Sequence, residues 1–245
     1  MSVAGLVAVV CMAAVAGCGG SPGARHGVHR EGSPAVAAAA QTPVPAGSGH
    51  LAAMAPAQGL VVRDRPGGRV IAHLLARTTY GSPTVVWATA RRGSWLGVVA
   101  TVLPNNRLGW IDLRHDRPRM WRTQYALAAD LSHRTLQLTR HGKVVRTIPV
   151  TIGAPSTPTP TGRFEVTDKL IPPAGSGYGC CILALSGHQP HLRPGWAGSD
   201  RIAIHGSPDQ LVGAAASAGC LRATNSDLRA LMKRVPLGTP VVIRS

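Results

Sequence analysis

The chain has 245 residues, enough for one or two ordinary domains. It holds five Trp, three Tyr and one Phe, all from Tyr80 onward, so its cores rest on Val, Leu, Ile and Ala and suit two compact β units better than one large core. Its 26 Lys and Arg face 10 Asp and Glu, a formal net charge of +16 that suits an anionic partner such as nucleic acid, phospholipid or wall polymer. A GC-rich genome that favours Arg and Ala explains the same balance without any ligand. No basic run of five residues and no aromatic-studded basic sheet is visible, and nucleic acid is set aside as a partner.

Val3 to Ala16 is an uncharged apolar run of about fourteen residues. A bilayer span takes roughly 20, so the run has the size of a signal-peptide core instead. It ends in Val15-Ala16-Gly17-Cys18, which resembles the bacterial lipobox and implies a lipid on Cys18. No Lys or Arg precedes the run, and a signal peptide cut elsewhere without lipidation is the alternative. Residues 19–58 are Gly, Ser, Pro and Ala with scattered His and Arg, too little apolar surface to offset chain entropy, and read as a flexible tether. Anchor plus tether implies a working domain on the outer face of the cytoplasmic membrane, in reach of the wall.

Residues 59–117 offer short β-rich runs at Val61–Val70 and Val85–Ile111, broken by turn signals at Arg65-Pro66-Gly67-Gly68, Gly81-Ser82-Pro83 and Pro104-Asn105-Asn106. Ser94-Trp95-Leu96-Gly97-Val98 followed by Gly109-Trp110-Ile111 resembles the end of bacterial Src-homology-type barrels. A small β-barrel module is expected here, either binding wall peptides or packing as a spacer.

From Tyr125 the pattern is strongly β. Leu136 and Leu138 alternate with polar residues, and His141-Gly142-Lys143 turns the chain into Val144–Val150, a hairpin by period and punctuation. Thr157 to Phe164 is a proline-stiffened loop entering a strand, and Arg201–Ile204 is a short strand with His205 at its end. Leu228, Leu231, Met232 and Val235 fall on one helical face, with Thr224 or Asn225 as cap and Pro236 as stop. Thr239 to Ile243 makes a last strand.

The five cysteines show no zinc spacing. Cys11 and Cys18 lie in the first segment. Cys180 and Cys181 are adjacent, a placement that fits disulfide geometry badly, so no disulfide framework is expected. Cys220 stands alone, fifteen residues after His205. A free thiol is mostly protonated near neutral pH, and an imidazole in reach can take its proton to leave a thiolate–imidazolium pair. The amides of Gly219 and Cys220, with that of Ala218, are candidate oxyanion donors. Arg222 is placed to hold a substrate carboxylate bidentately, or else to pair with Asp227. Ser217 reads as a turn residue rather than a catalyst, and His141 as part of a hairpin turn.

Several ordered motifs carry a family likeness: Asp130-Leu131-Ser132, Gly142-Lys143, Thr159-Pro160-Thr161-Gly162-Arg163-Phe164, Ile204-His205-Gly206 and Ser217-Ala218-Gly219-Cys220-Leu221-Arg222, with Asn225 and Asp227. Over residues 123–245 the chain resembles the L,D-transpeptidase (YkuD-like) family, although the commonest pattern has His where Ala218 stands. The resemblance implies a mainly β fold, a β-sandwich catalytic domain with short helices behind the small N-terminal barrel. It implies Cys220 as nucleophile, His205 as base, the Gly206 carbonyl orienting the imidazole, and Tyr178 in a Gly-rich loop flanking the substrate groove. It further implies peptidoglycan stem peptides as substrates, joined through their third-position diamino acids, and carbapenem-type β-lactams as inhibitors. No metal or organic cofactor is called for, since the thioester conserves bond energy. An L,D-carboxypeptidase, or an inactive wall-binding lipoprotein, is the competing expectation.

Overall fold

The computed structural model describes residues 42–43, 49–192, 194–196, 198–209 and 212–245. The apolar run, Cys11, Cys18 and residues 19–41 of the tether lie outside them. The first sheet contains β1 (Thr42–Pro43), β2 (His50–Met54), β3 (Leu60–Arg63), β4 (Val70–Leu74), β5 (Val85–Arg92), β6 (Trp95–Val98), β7 (Gly109–Asp112) and β8 (Arg119–Thr123). Its order is β4-β3-β7-β6-β5-β2-β8, with β1 paired to β5 and every pairing antiparallel.

The expected β6–β7 hairpin forms, with Leu96 opposite Ile111 and Gly97 opposite Trp110. Gly109 has to be glycine: a Cβ there would lie 2.3 Å from Val62 Cγ1. Residues 50–54, whose composition reads as tether, instead form β2, held between β5 and β8. The alanines that suggest a linker are what the strand buries, since Ala52 and Ala53 are fully covered and Ala52 pairs with Trp87. Small side chains here fill space beside a large ring, which composition alone does not reveal.

The second sheet contains β9 (Tyr125–Asp130), β10 (Thr135–Arg140), β11 (Lys143–Pro149), β13 (Gly162–Leu170), β14 (Ile182–His188), β15 (Arg201–Gly206), β17 (Leu221–Ala223) and β18 (Pro240–Arg244). A small parallel pair joins β12 (Ile152–Gly153) to β16 (Ala215–Ser217). The large sheet runs β11-β10-β9-β18-β13-β14-β15-β17. Reciprocal backbone bonds between Thr151 and Arg222, at 2.8 and 2.9 Å, then bring the segment after β11 against β17 and nearly close the sheet into a barrel. The β10–β11 hairpin turns where expected, through His141 and Gly142 at positive φ.

The one α-helix among the described residues, α1 (Asn225–Arg234), begins where its sequence says. Thr224 is the cap and its hydroxyl accepts the Asp227 N–H at 3.2 Å. Leu228, Leu231 and Val235 are buried, and the Val235 N–H returns to the Leu231 carbonyl just before Pro236. Each sheet has its own apolar core, one around Leu60, Leu96 and Ile111, the other around Leu127, Phe164, Leu183 and Ile204. Polar contacts cross between them. Trp87 N–H donates to the Glu165 carboxylate, Thr78 Oγ1 donates to Asp168 Oδ1 at 2.5 Å, and Asn105 pairs with the His188 backbone.

Candidate active site

Strand pairing brings His205 and Cys220 together. β15 carries His205 as its fifth residue, and Cys220 immediately precedes β17. The two strands are parallel neighbours, with Ile204 opposite Leu221 and His205 opposite Arg222, so a fifteen-residue separation closes sideways. One cavity of about 290 Å³ is lined by Tyr178, Gln189, Trp196, His205, Cys220 and Arg222.

His205 is only 3% exposed. Its Nδ1 lies 2.7 Å from the Gly206 carbonyl oxygen. A carbonyl only accepts, so that contact places the proton on Nδ1 and leaves Nε2 with a lone pair. The Tyr178 ring stands edge-on to the imidazole, with centroids 4.9 Å apart at 74°. Burial, aided by the Arg222 guanidinium, brings the His205 pKa down to about 4, against the opposing pull of the Gly206 and Tyr178 backbone. Burial likewise pushes the Cys220 thiol up, against the Ala203 backbone and Arg222. Both shifts favour the uncharged form. Taken group by group, burial thus works against the thiolate–imidazolium pair that residue chemistry alone suggests.

The turn before Cys220 is built by Ser217. Its hydroxyl accepts the Gly219 N–H at 3.0 Å and donates to the Cys220 carbonyl at 2.6 Å, which is the turn role expected of it. Gly219 thereby leaves the expected set of oxyanion donors, because its N–H is spent inside the turn; the Cys220 and Ala218 amides remain. Arg222 does not pair with Asp227. That carboxylate is taken by Arg146, at 3.1 and 2.5 Å, and by the Thr224 hydroxyl at 2.7 Å. Arg222 Nε is buried without a hydrogen-bond partner among the described residues, and the side chain faces the cavity.

Cys180 and Cys181 are joined as a disulfide, contrary to the expectation for neighbours. Their backbone is held from both sides: Cys180 N–H donates to Asn225 Oδ1 at 2.9 Å, and Gly206 N–H donates to the Cys181 carbonyl at 3.1 Å. The dipeptide thus flanks the strand end that carries His205. The sequence reading did not find Gln189, Trp196 or Arg201 at the site, because none sits in a spaced motif. Arg201 also lines a second cavity, of about 320 Å³, together with the buried Glu165.

Residues 124–243 match the family model of the YkuD L,D-transpeptidase catalytic domain. The chain is 32% identical over 127 residues to the YkuD protein of Bacillus subtilis, covering 51% of this chain and 70% of that one. It is 33% identical over 120 residues to the YkuD protein of Bacillus licheniformis, covering 49% and 65%. The solved catalytic domain of the Enterococcus faecium L,D-transpeptidase is 26% identical and covers 49% of this chain and 96% of that one, with a TM-score of 0.37, too low to add to the sequence match. The chain belongs to the YkuD family of L,D-transpeptidase catalytic domains.

Proposed function

We propose that the chain is a peptidoglycan L,D-transpeptidase that works through a thioester on Cys220. As Cys220 Sγ attacks the carbonyl of the third residue of a tetrapeptide stem, its proton passes to His205 Nε2. Because burial disfavours both ions at rest, proton transfer and attack are coupled, and the charge appears only as the carbonyl accepts it. The Cys220 amide, with that of Ala218, faces the developing oxyanion. Collapse breaks the bond to the terminal D-Ala, whose nitrogen takes the proton back from His205. The side-chain amine of an acceptor stem then attacks the thioester and gives a proton to His205; the C–S bond breaks, Cys220 Sγ leaves and takes that proton back, and the two third-position diamino acids are joined. Arg222 and Tyr178, which both line the cavity, bind the donor stem.

The observation that carries this reading is the fixed imidazole. Its Nδ1 is tied to the Gly206 carbonyl, and the imidazole lines the same cavity as Cys220. Incubating the purified chain with disaccharide tetrapeptide and resolving the products by mass tests it. A dimer that has lost one D-Ala is the expected product. Tripeptide and free D-Ala alone make the enzyme an L,D-carboxypeptidase, and unchanged tetrapeptide contradicts the reading. Membership of the family supports a location outside the cytoplasm, and Val15-Ala16-Gly17-Cys18 supports a lipid anchor on Cys18 there.

A further inference from the structure

Gln189 follows β14 and is 4% exposed, with its side chain in the wall of the Cys220 cavity. Its Nε2 faces three carbonyls, those of Pro158 at 3.0 Å, Ala218 at 3.1 Å and Thr157 at 3.3 Å. Its Oε1 accepts the His191 N–H at 3.0 Å. Acceptors around the nitrogen and a donor at the oxygen settle which way the amide points. Two hydrogens serve three carbonyls, so one is shared, and the group ties the Thr157-Pro158 loop to the turn that presents the nucleophile.

The contact with that turn is close. Gly219 has φ +115°, and a Cβ there would lie 2.0 Å from Gln189 Nε2, so only glycine lets the peptide settle on the amide. The Ala218 carbonyl and the Gly219 N–H belong to one peptide group. Gln189 holds its oxygen and Ser217 Oγ its nitrogen. That plane is pinned at both ends, and the Ser217 hydroxyl also holds the Cys220 carbonyl, so the intervening peptide group, whose N–H is that of Cys220, is fixed from both sides.

Gln189 is itself held from the first sheet. The Asn105 side chain makes two bonds to the His188 backbone, accepting its N–H at 2.9 Å and donating to its carbonyl at 2.7 Å. The His188 imidazole reaches the Thr101 carbonyl at 2.7 Å and Asp200 at 2.9 Å, and the Gln189 N–H donates to the Asp200 carbonyl at 2.7 Å. We propose that Gln189 is a positioning residue for the Cys220 amide, and that Asn105, in the loop between β6 and β7 of the first sheet, fixes it through His188. The first sheet is then a working part of the acyl-transfer site. This role rests on Cys220 being the acylated nucleophile.

Alkylation of Cys220 by iodoacetamide needs a reactive thiol but no oxyanion donor, whereas acylation by a carbapenem needs both. Gln189→Ala and Asn105→Ala are compared with wild type in both reactions, with melting temperature as the folding control. Loss of one oxyanion donor typically costs about 10²–10³-fold, so Gln189→Ala is expected to acylate at least about tenfold more slowly while alkylating within about twofold of wild type. Asn105→Ala shows the same selective loss to a smaller degree. Unchanged acylation-to-alkylation ratios in both variants overturn the role, as does an unchanged ratio in Asn105→Ala should Gln189→Ala not fold. A wild-type chain that alkylates but never acylates instead contradicts the proposed function, and the role falls with it.

Discussion

Tyr178 packs edge-on against His205, with ring centroids 4.9 Å apart. The contact covers the imidazole on the side of the Gly-rich loop and contributes to the burial that holds its pKa near 4. Removing the ring readmits water and relieves that cost.

Tyr178→Ala is therefore expected to raise the His205 pKa from about 4 toward its ordinary value of 6.5. Only the neutral imidazole can accept the thiol proton, so the acid limb of the acylation profile moves to higher pH by the same amount. Stability moves with it. In the wild type the unfolded state binds the extra proton between pH 6.5 and 4, so stability falls as pH drops through that window; in the variant the fall is smaller. An imidazole titration followed by NMR checks the shift, and an unmoved pKa contradicts the role of the ring.

Glu165 carries the opposite sign. It is buried, burial raises its pKa well above 4.5, and the Trp87 N–H and Arg201 only partly oppose this. A raised folded-state pKa gives stability that is complete below about 4.5 and is lost as pH rises through the folded value. Glu165→Gln keeps the shape and cannot ionise. Its melting temperature should match wild type near pH 4 and exceed it near pH 8. A marked loss at pH 8 would mean that Glu165 is an ionised partner of Arg201.

Thr224 caps α1 through the Asp227 N–H, and a lost cap of this kind costs about 1 kcal/mol. Thr224→Ala should lower stability by about that amount in urea titration and leave the acylation rate of Cys220 unchanged. A stability loss below the error of the titration would show that the Arg146–Asp227 pair alone holds the helix start.

How much of this was legible follows from the range of each interaction. The helix and its cap, the hairpin at His141-Gly142 and the Trp95–Ile111 hairpin are local, and their residues announce them. His205 and Cys220 stand out because few residue types do their chemistry and because both sit in spaced motifs. Gln189 does not stand out, since its three carbonyl partners come from two distant loops that no spacing connects. The same holds for Glu165 and Arg146, whose partners lie 78 and 81 residues away. Strand β2 was hidden by composition, because alanine means a linker in one context and a packed strand beside Trp87 in another. The pull of both groups toward their neutral forms was hidden as well, because it depends on burial that the nearly closed sheet supplies.

The proposed lipid anchor on Cys18 is tested separately from the chemistry. Cys18→Ala should move the chain from the membrane fraction to the soluble fraction, or leave an unprocessed precursor of higher mass. Unaltered partition and mass would remove Cys18 as the modified residue.

Stopped-flow acylation by a carbapenem, with wild type and His205→Gln compared from neutral to alkaline pH, tests the central claim most directly. General-base catalysis is typically worth about 10²–10⁴-fold. The variant should keep its fold and react at least about a hundredfold more slowly at neutral pH, with part of the rate restored as the pH rises past the ordinary thiol range toward the raised pKa of Cys220. The wild type should carry a single adduct on Cys220. A variant that reacts at near the wild-type rate at neutral pH, or an adduct on any other residue, would contradict the account.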